Sequence, residues 1–194
     1  MTDRHHHKSK MDTAMTKMLL ATVCLGMLLL NSTMAQVTAK EDVEKIYNYV
    51  EISDQLGTAG QPAYDQIKSL KDEGYEVIVN LATAAAGMNE LEGFLATEEG
   101  ITYVHIPVPW REPGVRDLEM FFAVMDANKD RKVFVHCMAN MRASAFTYLY
   151  RTLKEGVPDE QALADMHKVW DPMELEQWAR LVNDAKAKYA GRED

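Results

Sequence analysis

The sequence predicts an α/β domain in which helices cover both faces of a mainly parallel central sheet of four or five strands. Three apolar runs are typical of buried strands, at residues 76–81, 101–106 and 132–136. Segments with helical spacing lie between and after these runs, and Gly74 and Gly100 are placed to end two of the helices. Strands that alternate with helices favour parallel pairing through crossover connections.

The first half of the domain is predicted to contain one further strand and two helices. Residues 49–56 form a short strand that the segment 57–60, with two glycines, brings to an end. Pro62 suits the start of a helix, and a second helix is predicted over residues 90–99. The apolar residues of the first helix follow at three-residue spacing: Tyr64, Ile67 and Leu70.

The second half begins with a proline-rich loop after residue 106. Asp117 can then cap a helix, and the last three helices start near residues 142, 158 and 171. The helix after Asp117 has one apolar face, formed by Leu118, Phe121, Phe122 and Met125.

The chain is predicted to divide into a leader with a signal peptide, residues 1–35, and a single domain, residues 36–194. Lys17 precedes an apolar run over residues 18–30, and small residues lead to a cleavage position after Ala35. The run is short for a membrane span, and an uncleaved anchor or a buried helix is the alternative. Cleavage predicts a periplasmic or secreted protein with no membrane attachment.

The charge balance argues against nucleic-acid binding. The chain has 21 basic and 30 acidic residues and a net charge of −9. A nucleic-acid surface requires clustered lysine and arginine, and no basic stripe is present. An anionic partner must therefore be attracted by a local positive field.

The predicted mature domain contains a single cysteine. Cys24 lies within the predicted signal peptide, so Cys137 is the one cysteine of the predicted mature domain. It cannot form an internal disulfide after export. A lone thiol of this kind is either buried and inert or retained for its chemistry.

The segment around Cys137 carries the strongest functional pattern. An apolar strand ends at His136, a short loop follows, and a helix begins near Arg142. Ligands of open α/β sheets bind at the carboxyl ends of the strands, where Cys137 lies. The loop amides and the helix N-terminus can bind an anion and favour the thiolate, while the planar Arg142 side chain can hold two oxygens of an oxyanion. The loop residues that contribute these amides are Met138, Ala139, Asn140 and Met141.

This pattern resembles the protein tyrosine and dual-specificity phosphatase superfamily. It is most similar to the small bacterial phosphatase-like domains found in beta-lactamase-like hydrolase fusions. The resemblance covers roughly residues 48–155. It rests also on Gly60-Gln61-Pro62 before a helix, on the strand after Gly74, and on Ile106-Pro107-Val108 before a loop.

The resemblance implies a dual-specificity-phosphatase-like fold and a set of catalytic roles. Cys137 would attack phosphorus, Arg142 would hold the phosphoryl oxygens, and an acidic residue on a separate loop would protonate the leaving group. No cofactor is implied, because the arginine and the amides supply the positive field. A metal site is not expected either, since His105 and His167 lack ligand spacing.

Several positions depart from the superfamily pattern. Four residues separate Cys137 from Arg142 instead of the usual five, as in the fusion-type domains. Asn140 replaces the usual loop glycine, but asparagine tolerates the left-handed conformation. The hydroxyl residue comes one position late, at Ser144. The acid loop carries no aspartate at the expected place, which leaves Glu112 as the candidate acid, with Asp117 better suited to capping a helix.

The predicted function is hydrolysis of a phosphate monoester through a cysteinyl-phosphate intermediate. The partner is a small anionic or phosphorylated substrate, and His136 and Ser144 are expected to support the cysteine loop. Two alternatives remain. A rhodanese-like sulfurtransferase would carry a persulfide on Cys137 and also uses a four-residue loop. A non-catalytic anion-binding module would suit the displaced hydroxyl and the weak acid position. The sequence specifies neither the substrate nor the oligomeric state.

Overall fold

Five short strands form one sheet in the order β1-β2-β5-β3-β4. A computed structural model describes residues 34, 36–84 and 89–190. The strands are β1 (Val50–Ser53), β2 (Leu56–Ala59), β3 (Val77–Asn80), β4 (Thr102–His105) and β5 (Val133–His136). β1 pairs with β2 antiparallel, and every other pair is parallel. The predicted α/β class with a mainly parallel sheet is confirmed.

Helices pack on both faces of this sheet. A helical stretch through residues 39–44 is α1. The helices that follow it are α2 (Gln66–Asp72), α3 (Glu92–Glu98), α4 (Val115–Ala127), α5 (Met141–Leu153), α6 (Asp159–Met166) and α7 (Glu176–Tyr189), with a short 3-10 turn at Pro172–Glu174. None of the helices in these described ranges is long and apolar enough to cross a membrane. The predicted signal peptide and its cleavage position lie outside the described residues, apart from Met34.

Alternation along the central strands divides the core into two layers. Val77, Val79 and Val135 belong to a larger apolar cluster with residues of α4, α5, α6 and α7. Ile78 and Phe134 belong to a smaller cluster with residues of α1, α2 and α3. Successive side chains of a strand point to opposite faces, so an unbroken apolar run is what a sheet covered on both sides requires.

The predicted first strand is wrong in its extent. Residues 49–56 were expected to form one strand ended by the glycines of 57–60, but the chain forms the hairpin β1–β2, and Gly57 lies inside β2. A Cβ at Gly57 would overlap the hydroxyl group of the buried Tyr75. The glycine therefore permits a close approach and does not break the strand.

Three helix starts also differ from the prediction. The last helix was expected near residue 171, but α7 begins at Glu176, after the 3-10 turn. The first helix begins at Gln66 and not at Pro62, and Tyr64 is exposed. Asp117 is not the N-cap of α4, because that position is Gly114. Asp117 instead accepts a hydrogen bond from the Gly114 N–H at 3.2 Å, which satisfies a free donor of the first turn.

Candidate active site

Cys137 and Arg142 are placed at the carboxyl end of β5 and in the first turn of α5. Cys137 is 1% exposed and is part of the larger apolar cluster. Arg142 is 6% exposed, and its Nη1 donates a hydrogen bond to the Val108 carbonyl at 3.0 Å. Its Nε is buried with no hydrogen-bond partner among the described residues. The arginine therefore points into the protein beside the loop that follows β4, with donor capacity left over.

The loop between Cys137 and Arg142, which we call the cysteine loop, has paired carbonyls and unpaired amides. Apart from the bridge that pairs Ala139 with Gly60, the N–H groups of residues 138–142 donate no hydrogen bond to any other described residue. The carbonyls of the loop are held from outside, by the Gln61 N–H, the Asn48 side chain, the Ser144 N–H and the Trp170 indole. A run of free amides of this kind is the donor set of an anion nest.

The segment after β2 supports the cysteine loop from one side. The Cys137 N–H donates to the Ala59 carbonyl at 3.3 Å, and Gly60 forms an antiparallel bridge with Ala139. A Cβ at Gly60 would lie 2.9 Å from the Tyr47 carbonyl and 3.0 Å from the Met138 carbonyl. These contacts give a physical reason for the glycine of Gly60-Gln61-Pro62.

Asn140 turns the cysteine loop into α5. Its φ of 66° lies in the left-handed region, as predicted for an asparagine in the place of glycine. The side chain is buried, and its Nδ2 donates to the Asn48 carbonyl at 2.7 Å and to Thr58 Oγ1 at 3.0 Å. The asparagine thus combines the turn conformation with two hydrogen bonds that a glycine cannot make.

Asn140→Ala should lower the free energy of unfolding by about 2–4 kcal/mol, because it strains the turn and removes both hydrogen bonds. Asn140→Gly keeps the conformation and loses only the hydrogen bonds, so we expect about 1–2 kcal/mol. Urea unfolding of the two variants beside the wild type measures the difference. Equal losses from alanine and glycine would contradict the role given to the left-handed turn.

His136 contacts a buried carboxylate that the sequence analysis did not identify. The His136 Nε2 lies 2.7 Å from Glu92 Oε1, and both side chains are fully buried. Glu92 is the first residue of α3, at a core-facing position one turn before the buried Ala96. A glutamate in a short amphipathic helix is usually solvated, so the sequence offered no signal for this position.

Ser144 supports the start of α5 through a tryptophan. Its Oγ donates to the Met141 carbonyl at 3.1 Å and accepts from the Trp170 indole at 3.2 Å. The Trp170 ring packs against Trp110 and Trp178, with centroids 5.6 and 5.5 Å away. This tryptophan cluster joins the loop after β4 to the C-terminal helix, and sequence spacing did not reveal it.

Glu112 lies on the exposed part of the loop between Val108 and α4. It has no hydrogen bond or ion pair within the described ranges. The hydrogen bond from Arg142 to the Val108 carbonyl connects this loop to the cysteine loop, so the segment of the candidate acid and the segment of the candidate nucleophile lie side by side.

The two methionines of the cysteine loop differ in exposure, since Met138 is 36% exposed and Met141 is half-buried. Across residues 34, 36–84 and 89–190, no group of three His, Cys, Asp or Glu side chains could hold a metal ion.

The fold is that of a dual-specificity-type phosphatase. A family model described as a DSP-PTPase phosphatase fused to NAD+ kinase matches residues 21–184, and the chain belongs to this family. The suspected relation to the dual-specificity and tyrosine phosphatase superfamily is confirmed. A comparison with curated proteins gave no match.

Solved structures agree with this assignment. A candidate phosphatase (DUF442) from Shewanella putrefaciens CN-32 is 37% identical, with a TM-score of 0.68, over 77% of this chain and 97% of that chain. Tk-PTP in its active form is 16% identical, with a TM-score of 0.62, over 73% and 97% of the two chains. TpbA of P. aeruginosa in complex with pTyr is 14% identical, with a TM-score of 0.57, over 74% and 91%. The last two show the shared fold alone.

Proposed function

We propose that the chain hydrolyses phosphate monoesters through a covalent phosphate on Cys137. The observation that carries the proposal is the cysteine loop, whose carbonyls are held from outside while the N–H groups of residues 138–142 stay free. Arg142 adds a buried cation with an unpaired Nε at the same loop. Free amides and a planar guanidinium suit the three equatorial oxygens of a transferring phosphoryl group.

The reaction has two balanced steps. The Cys137 thiolate attacks phosphorus, an S–P bond forms, and the bond from phosphorus to the ester oxygen breaks as that oxygen gains a proton. Water then attacks phosphorus and loses a proton, the S–P bond breaks, and inorganic phosphate and the thiolate are released. The amides and Arg142 stabilise the charge on the phosphoryl oxygens in both steps, so no cofactor is needed.

The proposed substrates are small phosphorylated molecules or phosphorylated side chains. The complex of TpbA with pTyr shows that this fold accepts a phosphate on an aromatic ring in that protein. The chain as a whole is acidic, so attraction to a phosphate must come from the local field of the cysteine loop and Arg142.

We further propose that Glu112 protonates the leaving oxygen, since its loop reaches Arg142 through Val108. General acid catalysis contributes about 10²–10⁴-fold, and a poor leaving group depends on it most. Glu112→Gln should therefore slow alkyl phosphate hydrolysis by about 10²-fold or more, and 4-nitrophenyl phosphate hydrolysis much less. Steady-state rates with both substrate classes measure the effect.

The matched control for this prediction is Glu160→Gln, an exposed glutamate of α6 with the same charge change. It should leave both rates unchanged. Glu112 is excluded as the acid if Glu112→Gln hydrolyses both substrate classes at the wild-type rates, with the same dependence on the leaving group.

A sulfurtransferase remains the second candidate, favoured by the four residues between Cys137 and Arg142. Parallel assays with an aryl phosphate and with thiosulfate plus cyanide separate the two. Phosphate release without thiocyanate formation supports the proposal. A cyanide-releasable sulfur on Cys137 without phosphate release would replace it, and phosphate binding with neither activity would indicate a binding module.

A further inference from the structure

A buried carboxylate lies beneath the cysteine loop. The Glu92 side chain is fully buried, and its Oε1 is 2.7 Å from the Nε2 of the equally buried His136. The two atoms are within ion-pair distance, although the contact lacks the alignment of a hydrogen bond. Burying a charge without compensation is costly, so the surroundings of this carboxylate determine which protonation state it adopts.

Uncharged hydrogen-bond donors surround the second oxygen of the Glu92 carboxyl group. Its Oε2 accepts from Gln61 Nε2 at 3.0 Å and from Asn80 Nδ2 at 3.3 Å, and the Tyr103 hydroxyl donates at 3.5 Å. Burial, together with the negative charge of Glu92, raises the pKa of Tyr103 to about 12, against a smaller opposing effect of the Asn80 hydrogen bond. Tyr103 therefore remains a neutral donor at physiological pH. Three uncharged donors therefore face the Glu92 carboxyl group.

No lysine or arginine of the described residues pairs with Glu92. His136 is the ionisable group in contact with it that can become a cation. A buried anion beside an imidazole favours the protonated ring, because the pair neutralises a charge that would otherwise be isolated. The geometry thus couples the charge of His136 to Glu92.

His136 directly precedes Cys137 at the end of β5, and neither of its buried ring nitrogens has a well-aligned hydrogen bond among the described residues. Its ring stacks on Phe134, with centroids 5.8 Å apart and planes at 24°, and its carbonyl accepts from the Leu81 N–H at 2.8 Å. A second connection runs through Gln61, whose side chain binds Glu92 while its N–H donates to the Met138 carbonyl at 3.3 Å. Glu92 is therefore linked to the cysteine loop by two routes.

We propose that Glu92 is a positioning residue that keeps His136 protonated and fixed, so that the imidazolium stabilises the Cys137 thiolate. The inference rests on the proposed function, for which the thiolate is the nucleophile. The ionisable groups around His136 are Glu92 of α3, Tyr103 and His105 of β4, Cys137 next to it in the chain, and Arg142 of α5. The other partners of the Glu92 carboxylate, Gln61 and Asn80, are uncharged side chains.

The sign of the effect distinguishes this role from a simple field effect. A carboxylate acting directly on Cys137 would repel the thiolate, so its removal would promote ionisation of the thiol. A carboxylate acting through His136 has the opposite effect. Its removal lets the ring lose its proton, and the Cys137 thiol then ionises less readily. A merely structural carboxylate would leave the ionisation of the folded protein unchanged.

The test follows iodoacetamide alkylation of Cys137 against pH in the full chain. Mass spectrometry of the tryptic peptide 133–142, which follows Lys132, separates Cys137 from Cys24. In Glu92→Gln the midpoint of the alkylation profile should rise by about one pH unit, with an about tenfold lower rate below the midpoint. Glu98→Gln, an exposed glutamate of the same helix, makes the same charge change and should leave the midpoint unchanged.

A double-mutant cycle locates the effect in the imidazole. In a His136→Gln background, Glu92→Gln should no longer raise the midpoint. A folded Glu92→Gln protein with an unchanged or lower midpoint would overturn the proposal. If the variant does not fold, NMR of the His136 ring nitrogens in the ¹⁵N-labelled wild type provides the test. A neutral ring at pH 7 would overturn the proposal. Alkylation needs no turnover, so this result is independent of whether phosphate is released.

Discussion

Cys137→Ser should abolish phosphate release from an aryl phosphate, with a loss of about 10⁴-fold or more in kcat. Serine has nearly the same shape, but its hydroxyl does not ionise near neutral pH. The substitution should leave the amides of residues 138–142 and the buried Arg142 side chain in place. Initial rates with 4-nitrophenyl phosphate, and the phosphate released per protein, measure the effect.

The same substitution at the other cysteine is the matched control. Cys24 lies far from the cysteine loop in sequence, in the predicted signal peptide, and Cys24→Ser should retain the wild-type rate. Cys137→Ser should still bind inorganic phosphate, because the anion contacts do not use the sulfur. A Cys137→Ser protein with an undiminished rate would reject the covalent mechanism, while loss of both rate and phosphate binding would indicate a damaged loop.

The central sheet and the cysteine loop could be predicted because their signals are local. The apolar runs around Val77 and Val133 must be buried on both faces, and both became central parallel strands. The left-handed turn at Asn140 followed from the properties of one residue type. Gly74 and Gly100, with φ of 89° and 72°, follow α2 and α3 as predicted, for the same local reason.

The features of the fold and the site that could not be predicted from the sequence depend on contacts between segments that are distant in the chain. The sequence pattern predicts that Gly57 ends a strand. In the structure Gly57 lies within β2, where the missing side chain leaves room for Tyr75. Glu92 is 44 residues before His136 in the chain, and only the packing of α3 on the sheet brings them together. The tryptophan cluster is likewise a product of the fold, since Trp110 meets Trp178 across the loop after β4 and the last helix.

Arg142→Lys should lower kcat/KM for aryl phosphates by about 10²–10³-fold while the protein stays folded. Lysine keeps the positive charge but has no planar fork, so it cannot hold two phosphoryl oxygens in a fixed geometry. It also cannot reproduce the 3.0 Å hydrogen bond from Nη1 to the Val108 carbonyl together with a second donor facing the phosphate. Steady-state kinetics and protection of Cys137 from alkylation by inorganic phosphate measure the loss.

Arg151→Lys provides a control on the same helix, since Arg151 is also buried and pairs with Asp165 at 2.7 Å. That pair needs a cation and lies near the other end of α5, so the substitution should affect stability more than turnover. A similar loss of turnover in the two variants would mean that Arg142 acts through the packing of α5. A loss confined to Arg142→Lys, with weaker phosphate protection, would show that the guanidinium itself holds the phosphoryl group.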